Sequence, residues 1–202
     1  GLFAMFLFLS IYMQSFLHYS PLRSGFAFLP FSAGVIVFAG VASQLLPKIG
    51  PRPLLVTGLI GGAVGLLYLS RITPTSSYTT AILPALIVMS SGLALFFIPT
   101  ASTGLHNAGE HDAGVASAVL NTSQQIGGSL GAALLNTLAI SSTLAYAKGH
   151  NVAPIDPAAQ VHGFSTTFIY GAGFLFLAAI VTAFMINVGK DSLTESEGVA
   201  MH

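Results

Sequence analysis

The polar side chains best suited to binding a ligand are concentrated in one uncharged stretch, residues 114–138. As an α-helix, this stretch presents one face of small and polar side chains: Ser117, Asn121, Gln125, Gly128, Ala132 and Asn136. Its opposite face is purely aliphatic, with Ile126, Leu130 and Leu134. Because amides are costly against lipid, we expect Asn121, Gln124 and Gln125 to face a neighbouring helix or a wet cavity. The chemistry predicted for this face is recognition by uncharged hydrogen bonds.

A second group of polar side chains lies in the first apolar run. Ser10, Gln14 and His18 recur at four-residue spacing on one side of a helix, and Tyr12 lies elsewhere on it. Two interpretations stay open: Gln14 and His18 sit in water at the interfacial end, or Tyr12 and Gln14 line a cavity. The candidate cavity-lining residues are therefore Tyr12, Gln14, Asn121, Gln124 and Gln125.

Glycines at helical spacing predict close packing between helices, because GxxxG pairs let a second backbone approach. One helix holds overlapping pairs at residues 58–65, and Gly127 and Gly131 form another pair. The candidate packing residues are Gly58, Gly62, Gly65, Gly127, Gly128 and Gly131. GxxxG pairs and buried amides serve packing more often than ligand binding, by about two to one, and one face can do both.

Catalytic and metal chemistry is disfavoured. There is no cysteine, which removes disulfides, thiolate metal sites and cysteine nucleophiles. His106 and His111 are separated by a loop and have no obvious third ligand, so we expect solvated histidines and neither a metal nor another cofactor. Every acidic residue lies in a loop or the tail: Glu110, Asp112, Asp156, Asp191, Glu195 and Glu197. With no histidine, cysteine or carboxylate in a helix interior, the chain is predicted not to be an enzyme.

The composition predicts a protein immersed in lipid. Of 202 residues, 53% are hydrophobic and only 6% are charged, and the mean hydropathy is +0.82. Soluble domains carry about 25% charged residues, so this chain lacks the polar surface of a water-soluble globule. Its net charge of zero also argues against a nucleic-acid partner.

The apolar runs predict an all-α polytopic membrane protein with six transmembrane helices. The predicted spans are 1–18, 21–46, 53–70, 81–105, 113–141 and 164–188. We expect Pro30 to kink the second span, Pro47 to end it, and residues 142–163 to form a linker. The spans make up one lobe, residues 1–189, followed by a disordered tail at 190–202. Because the chain starts inside an apolar run, we expect it to begin partway through a longer protein.

Charge alone does not orient the spans. An even number of spans places both ends on one side of the membrane, and that side carries Lys48, Arg52 and Lys190. The opposite loops carry Arg23, Arg71 and Lys148. The positive-inside rule therefore gives a tie.

Three stretches in this order resemble the C-terminal half of a major facilitator superfamily transporter, of the fourteen-helix drug:proton antiporter type. They are YMQSFLHYSPLRSGFAFLP at residues 12–30, KIGPRPLLVTG at 48–58 and GVASAVLNTSQQIGGSLGAALL at 114–135. The resemblance implies one lobe of a major facilitator fold and a missing N-terminal lobe as partner, with the substrate held between the two. It also implies a multi-pass protein of the cell membrane, with both fragment ends and the tail in the cytoplasm.

The function that the resemblance implies is proton-coupled export of drugs or other small hydrophobic or cationic compounds. A non-transporting membrane scaffold or receptor-like subunit is the alternative. Two positions depart from the family pattern: Gln44 stands where an acidic residue often follows Gly40, and Gln124 stands where an arginine often occurs. Proton coupling needs a titratable group within the membrane, and no span here carries an acid. We therefore expect the coupling carboxylate to lie in the missing lobe.

Overall fold

The computed structural model describes residues 1–106 and 113–185, with side chains for 1–102 and 114–185. The described residues form α-helices and one π-helical turn, Tyr78–Ile82, without strands. The helices are α1 (Leu2–Ser15), α2 (Pro21–Ala27), α3 (Leu29–Ile49), α4 (Pro51–Leu69), α5 (Leu83–His106), α6 (Ala113–His150) and α7 (Pro157–Met185). The predicted all-α class is confirmed. Glu110, His111, Asp112, the side chain of His106 and the tail 190–202 lie outside the described residues.

Within the described residues, five stretches of helix are long and apolar enough to cross a membrane. They are Pro21–Ile49, Pro51–Leu69, Tyr78–Ser102, Gly114–His150 and Pro157–Met185. α1, which falls in the first predicted span, is also apolar, but its 14 residues cover only about 21 Å at 1.5 Å per residue. The chain is therefore a multi-pass membrane protein in which the described α1 is shorter than the spanning stretches.

The stretch predicted as a single kinked helix around Pro30 is divided into α2 and α3. The break falls at Phe28, and Pro30 lies in the first turn of α3. A proline in the first turn of a helix costs little, because the amide that it lacks would have no intrahelical acceptor there. A break, at which α2 ends and α3 begins, thus takes the place of the predicted kink.

The turn between α3 and α4 consists of Gly50 alone, and the prediction that Pro47 ends the helix is wrong. α3 continues through Pro47 to Ile49. Near its end, a helix loses only one backbone hydrogen bond to a proline, and the turn is made three residues later, at Gly50. Gly50 has φ 80° and ψ 170°, a conformation that favours glycine.

The predicted linker at 142–163 is wrong over most of its length. α6 continues to His150, and α7 already starts at Pro157. The two helices stay in contact over this segment: a Cβ on Gly163 of α7 would overlap the Thr143 side chain of α6. Gly163 lets α6 and α7 pack closely in a segment whose polar residues had indicated a loop.

The core is built around α1, and α6 lies at the edge of the bundle. Buried α1 residues are Ala4, Met5, Phe8, Leu9, Tyr12 and Met13. Phe8 packs against Phe164 of α7, with ring centroids 5.2 Å apart. α4 packs against α5 and α7, α3 packs against α5, and α6 packs mainly against α7. One side of α6 is therefore left without a large neighbour in the described residues.

Candidate functional site

A cavity of about 550 Å³ lies between α1, α4, α5, α6 and α7. Apolar side chains form most of its lining, among them Phe3, Leu93, Phe96 and Leu175. Among the described lining residues, only Gln124 of α6 has an amide, hydroxyl or charged side chain. The cavity therefore offers one hydrogen-bonding side chain among apolar side chains and glycines.

One wall of the cavity is formed by glycines, whose backbone atoms are not covered by a side chain. Gly58 and Gly62 of α4 and Gly92 of α5 line the cavity where the two helices cross. A Cβ on Gly58 would lie 2.7 Å from the Gly92 carbonyl oxygen, and one on Gly62 would lie 3.1 Å from Leu175. At Gly65, one turn further along, a Cβ would overlap a side chain of α5. The structure thus places Gly58, Gly62 and Gly65 at close helix contacts.

The α6 glycines form the opposite wall and differ among themselves. A Cβ on Gly128 would lie 3.1 Å from the Phe3 ring of α1, so this glycine packs against the bundle. A Cβ on Gly127 or Gly131 would meet no described atom within 4 Å, although both residues line the cavity. A packing role for Gly127 and Gly131 stays a prediction that concerns a partner outside this chain.

The amide face of α6 is turned toward the bundle, and its aliphatic face points away. Asn121 shares its helical position with Gly128 and Leu135, seven and fourteen residues on, and Leu135 is only 1% exposed. The side chains of the opposite face are about half exposed or more: Ile126 54%, Leu130 66% and Leu134 49%. Asn121 and Gln125 are nevertheless exposed, because no described helix covers this face beyond the cavity.

The other sequence-predicted residues lie elsewhere. Tyr12 is fully buried, and its hydroxyl donates hydrogen bonds to the carbonyls of Thr73 at 2.7 Å and Ser76 at 3.0 Å. Gln14 is exposed and its Nε2 donates to Ser10 Oγ at 3.0 Å. Of the five candidates, Gln124 alone lines the described cavity, so the structure does not bring the set together. A substrate contact by the others stays a prediction.

No group of three or more His, Cys, Asp or Glu residues in the described part of the chain is placed to hold a metal ion. Two of the described histidines contact an aromatic ring instead. The Tyr146 ring lies 3.9 Å from that of His150 and 4.7 Å from that of His162, centroid to centroid. The His150 ring stacks on Tyr146 and the His162 ring is tilted against it, and both contacts are explained by packing where α6 and α7 meet.

Sequence reasoning missed Gly92 and the aromatic lining of the cavity. Gly92 lacks a GxxxG partner, and its signal is only the cluster of small residues at 90–92. The lining phenylalanines, including Phe3 and Phe96, carry no signal, because the chain contains 15 phenylalanines spread over its apolar runs. Only the crossing of the helices shows which of them face the cavity.

Comparisons with known proteins agree with this architecture. The sequence profile of the Major Facilitator Superfamily matches residues 1–132. The chain is 39% identical over 200 residues to the puromycin resistance protein pur8 of Streptomyces alboniger, covering 97% of this chain and 40% of that protein. It is 32% identical over 176 residues to the cephamycin export protein CmcT of Amycolatopsis lactamdurans, covering 87% of this chain and 34% of that protein.

A further relative is the tetracenomycin C resistance and export protein of Streptomyces glaucescens, 33% identical over 134 residues, or 66% of this chain and 25% of that protein. The chain thus spans two fifths or less of the length of these curated relatives.

Proposed function

The chain belongs to the major facilitator superfamily, and from this we propose that it is the C-terminal half of a transporter that exports small drug-like molecules from the cell. Its extent against the relatives supports the proposal, because a lobe of a two-lobed carrier accounts for about half of the whole or less. The resemblance of residues 12–30, 48–58 and 114–135 to the last helices of the fourteen-helix exporters assigns the half. In that arrangement both ends of the chain face the cytoplasm.

The observation that carries the proposal is the uncharged cavity beside the amide face of α6. Its volume of about 550 Å³ falls in the range of small-molecule sites, which measure roughly 300–1,000 Å³. The lining suits a largely apolar organic molecule with at least one group that hydrogen-bonds to Gln124. The relatives are named for puromycin, cephamycin and tetracenomycin C, so we assign this chain to the export of antibiotic-like organic compounds.

The partner that completes the site is the N-terminal lobe. Asn121 and Gln125 are exposed on the face of α6 that is turned inward, and Gly127 and Gly131 leave open space beside them. A helix of the partner lobe covers this face, satisfies the amides and closes the cavity. Rocking of the two lobes about the substrate then exposes it to each side of the membrane in turn.

Proton coupling enters through the partner lobe. Asp156, the one acidic residue in the described part of the chain, lies between α6 and α7 and accepts a hydrogen bond of 2.8 Å from the Ala158 amide. The cavity lining described here carries no titratable side chain. A carboxylate in the N-terminal lobe therefore binds and releases the proton that is exchanged for substrate.

Transport by the full-length protein tests the proposal. The protein is reconstituted in vesicles with an imposed proton gradient, and uptake of puromycin and of tetracenomycin C is followed together with internal pH. Substrate-dependent proton efflux is expected, and it is abolished when an ionophore collapses the gradient. A membrane scaffold or receptor-like subunit gives no flux with any compound, and that result contradicts the proposal.

A further inference from the structure

The break between α2 and α3 leaves backbone carbonyls without their helical donors, the Ala27 carbonyl among them. Phe28 separates the two helices with φ −88° and ψ −6°. The Phe31 amide, which would bond to the Ala27 carbonyl in a continuous helix, donates instead to the Phe28 carbonyl at 3.0 Å. The Ala27 carbonyl is therefore available to a donor from another part of the chain.

That donor is a side chain from the π-helical turn that precedes α5. The Tyr78 hydroxyl donates a hydrogen bond of 2.7 Å to the Ala27 carbonyl, across 51 residues of sequence. Tyr78 opens the π-helical turn, in which the Leu83 amide bonds to the Tyr78 carbonyl. Single π turns are rare in proteins, and those that occur often lie at functional sites. The π turn thus positions the hydroxyl that replaces the missing backbone donor at the break.

The seven-residue α2 buries few of its side chains in the bundle. Only Ser24 and Ala27 are buried, whereas Leu22 is 71% and Phe26 59% exposed. The buried Ser24 hydroxyl has no hydrogen-bond partner among the described residues. A buried hydroxyl without a hydrogen-bond partner raises the free energy of the conformation that contains it. The unpaired Ser24 hydroxyl therefore destabilises the position of α2 that the Tyr78–Ala27 hydrogen bond stabilises.

The start of α2 adjoins the same tyrosine. Ser20 caps α2, and the Arg23 guanidinium lies 4.1 Å from the centre of the Tyr19 ring. The Tyr19 ring in turn lies 6.5 Å from the Tyr78 ring. Both ends of α2 therefore adjoin Tyr78, one through a hydrogen bond and the other through an aromatic contact.

We propose that α2 is a hinged segment that moves about Phe28, and that the Tyr78–Ala27 hydrogen bond is the latch that holds it closed. When the bond opens, α2 rotates and the Ser24 hydroxyl reaches water or a new partner. The role of this motion in transport rests on the proposed function, in which one end of the lobe opens for substrate. The existence of the hinge does not depend on that function. Removal of the Tyr78 hydroxyl and removal of the Ser24 hydroxyl should shift the equilibrium between closed and open α2 in opposite directions.

Spin-label distances in the full-length protein test the latch. Leu22→Cys on α2 and Ile155→Cys between α6 and α7 provide the label sites, because both residues are largely exposed and this chain has no native cysteine; cysteines elsewhere in the protein are replaced. Tyr78→Phe removes only the hydroxyl, and it is expected to raise the ratio of the open to the closed distance population by about two- to tenfold. Ser24→Ala removes the unpaired hydroxyl and is expected to lower that ratio.

The matched control is Tyr68→Phe. The Tyr68 hydroxyl donates to the Thr80 carbonyl of the same π turn at 2.8 Å and not to a carbonyl of α2, so its removal is expected to leave the distance populations unchanged. Equal populations in Tyr78→Phe and the parent protein overturn the latch, as does an equal shift in Tyr68→Phe. A protein that shows the expected shifts but transports no compound overturns the proposed function and leaves the hinge standing.

Discussion

Gly58 of α4 and Gly92 of α5 bring the backbones of the two helices into direct contact. A Cβ on Gly92 would lie 2.6 Å from the Gly58 carbonyl oxygen, and a Cβ on Gly58 would lie 2.7 Å from the Phe96 amide nitrogen. These neighbours are backbone atoms, which no rotamer change can move aside. Because both glycines also line the cavity, this crossing sets the position of its wall.

We therefore expect Gly92→Ala to destabilise the protein by about 1–3 kcal/mol through overpacking. Gly40→Ala in α3 is the matched control: its methyl group meets no described atom within 4 Å, and alanine favours the helix by about 1 kcal/mol over glycine. Unfolding of the purified protein in mixed micelles measures both. Equal losses of stability in the two variants would show that the α4–α5 contact is not special.

Gln124→Leu is expected to change selectivity without preventing insertion. It removes the one hydrogen-bonding side chain of the described cavity lining, so transport of substrates with a donor or acceptor should lose about two- to tenfold in kcat/KM. Transport of purely apolar substrates should change little. Gln44→Leu on the exposed side of α3 is the control, and it should leave both kinds of substrate unaffected.

Asn121→Leu and Gln125→Leu extend the same experiment to the amides that lie beside the cavity. Both variants should insert, and both should alter the preference among a broad panel of compounds if the partner lobe closes the site over this face. Unchanged transport of the whole panel would show that these two amides serve packing only.

Arg52 fastens the start of α4 to the end of α7, because its Nη2 donates to the Ala183 carbonyl in the last turn of α7. A cation at this position also interacts favourably with the negative end of the helix dipole. Arg52→Gln should speed amide hydrogen exchange in the last turn of α7 by about two- to fivefold. Lys48→Gln, which removes a nearby cation from the last turn of α3, should leave exchange in α7 unchanged.

Replacing every acid of this chain by its amide should leave the proton-to-substrate ratio unchanged. The positions are Glu110, Asp112, Asp156, Asp191, Glu195 and Glu197. Asp156→Asn keeps a helix-capping oxygen next to the Ala158 amide, so this change should not disturb α7. Flux measured against opposed proton and substrate gradients determines the ratio. A lower ratio in the variant would place the coupling group in this half.

Several positions show why sequence patterns reached only part of the site. Periodicity placed Tyr12 on a helix, but it could not distinguish a cavity from the core, because the acceptors of its hydroxyl, at Thr73 and Ser76, lie 61 and 64 residues away. Pro47 carries the signal of a helix end, yet the bond it removes is one among many that hold α3. Gln124 was identified because an amide in an apolar helix is costly wherever the helix lies.

The sequence by itself determined that the protein is helical and immersed in lipid, because hydrophobicity and charge are sums over residues that do not depend on their arrangement. It also determined which side chains share one face of α6, since helical geometry fixes the angle between residues along one helix. Only the tertiary structure decided that Gly92 meets Gly58, that Tyr78 bonds to Ala27, and that Gln124 alone among the amides reaches the cavity. These contacts join residues distant along the chain, and they depend on how helices cross, which no local pattern encodes.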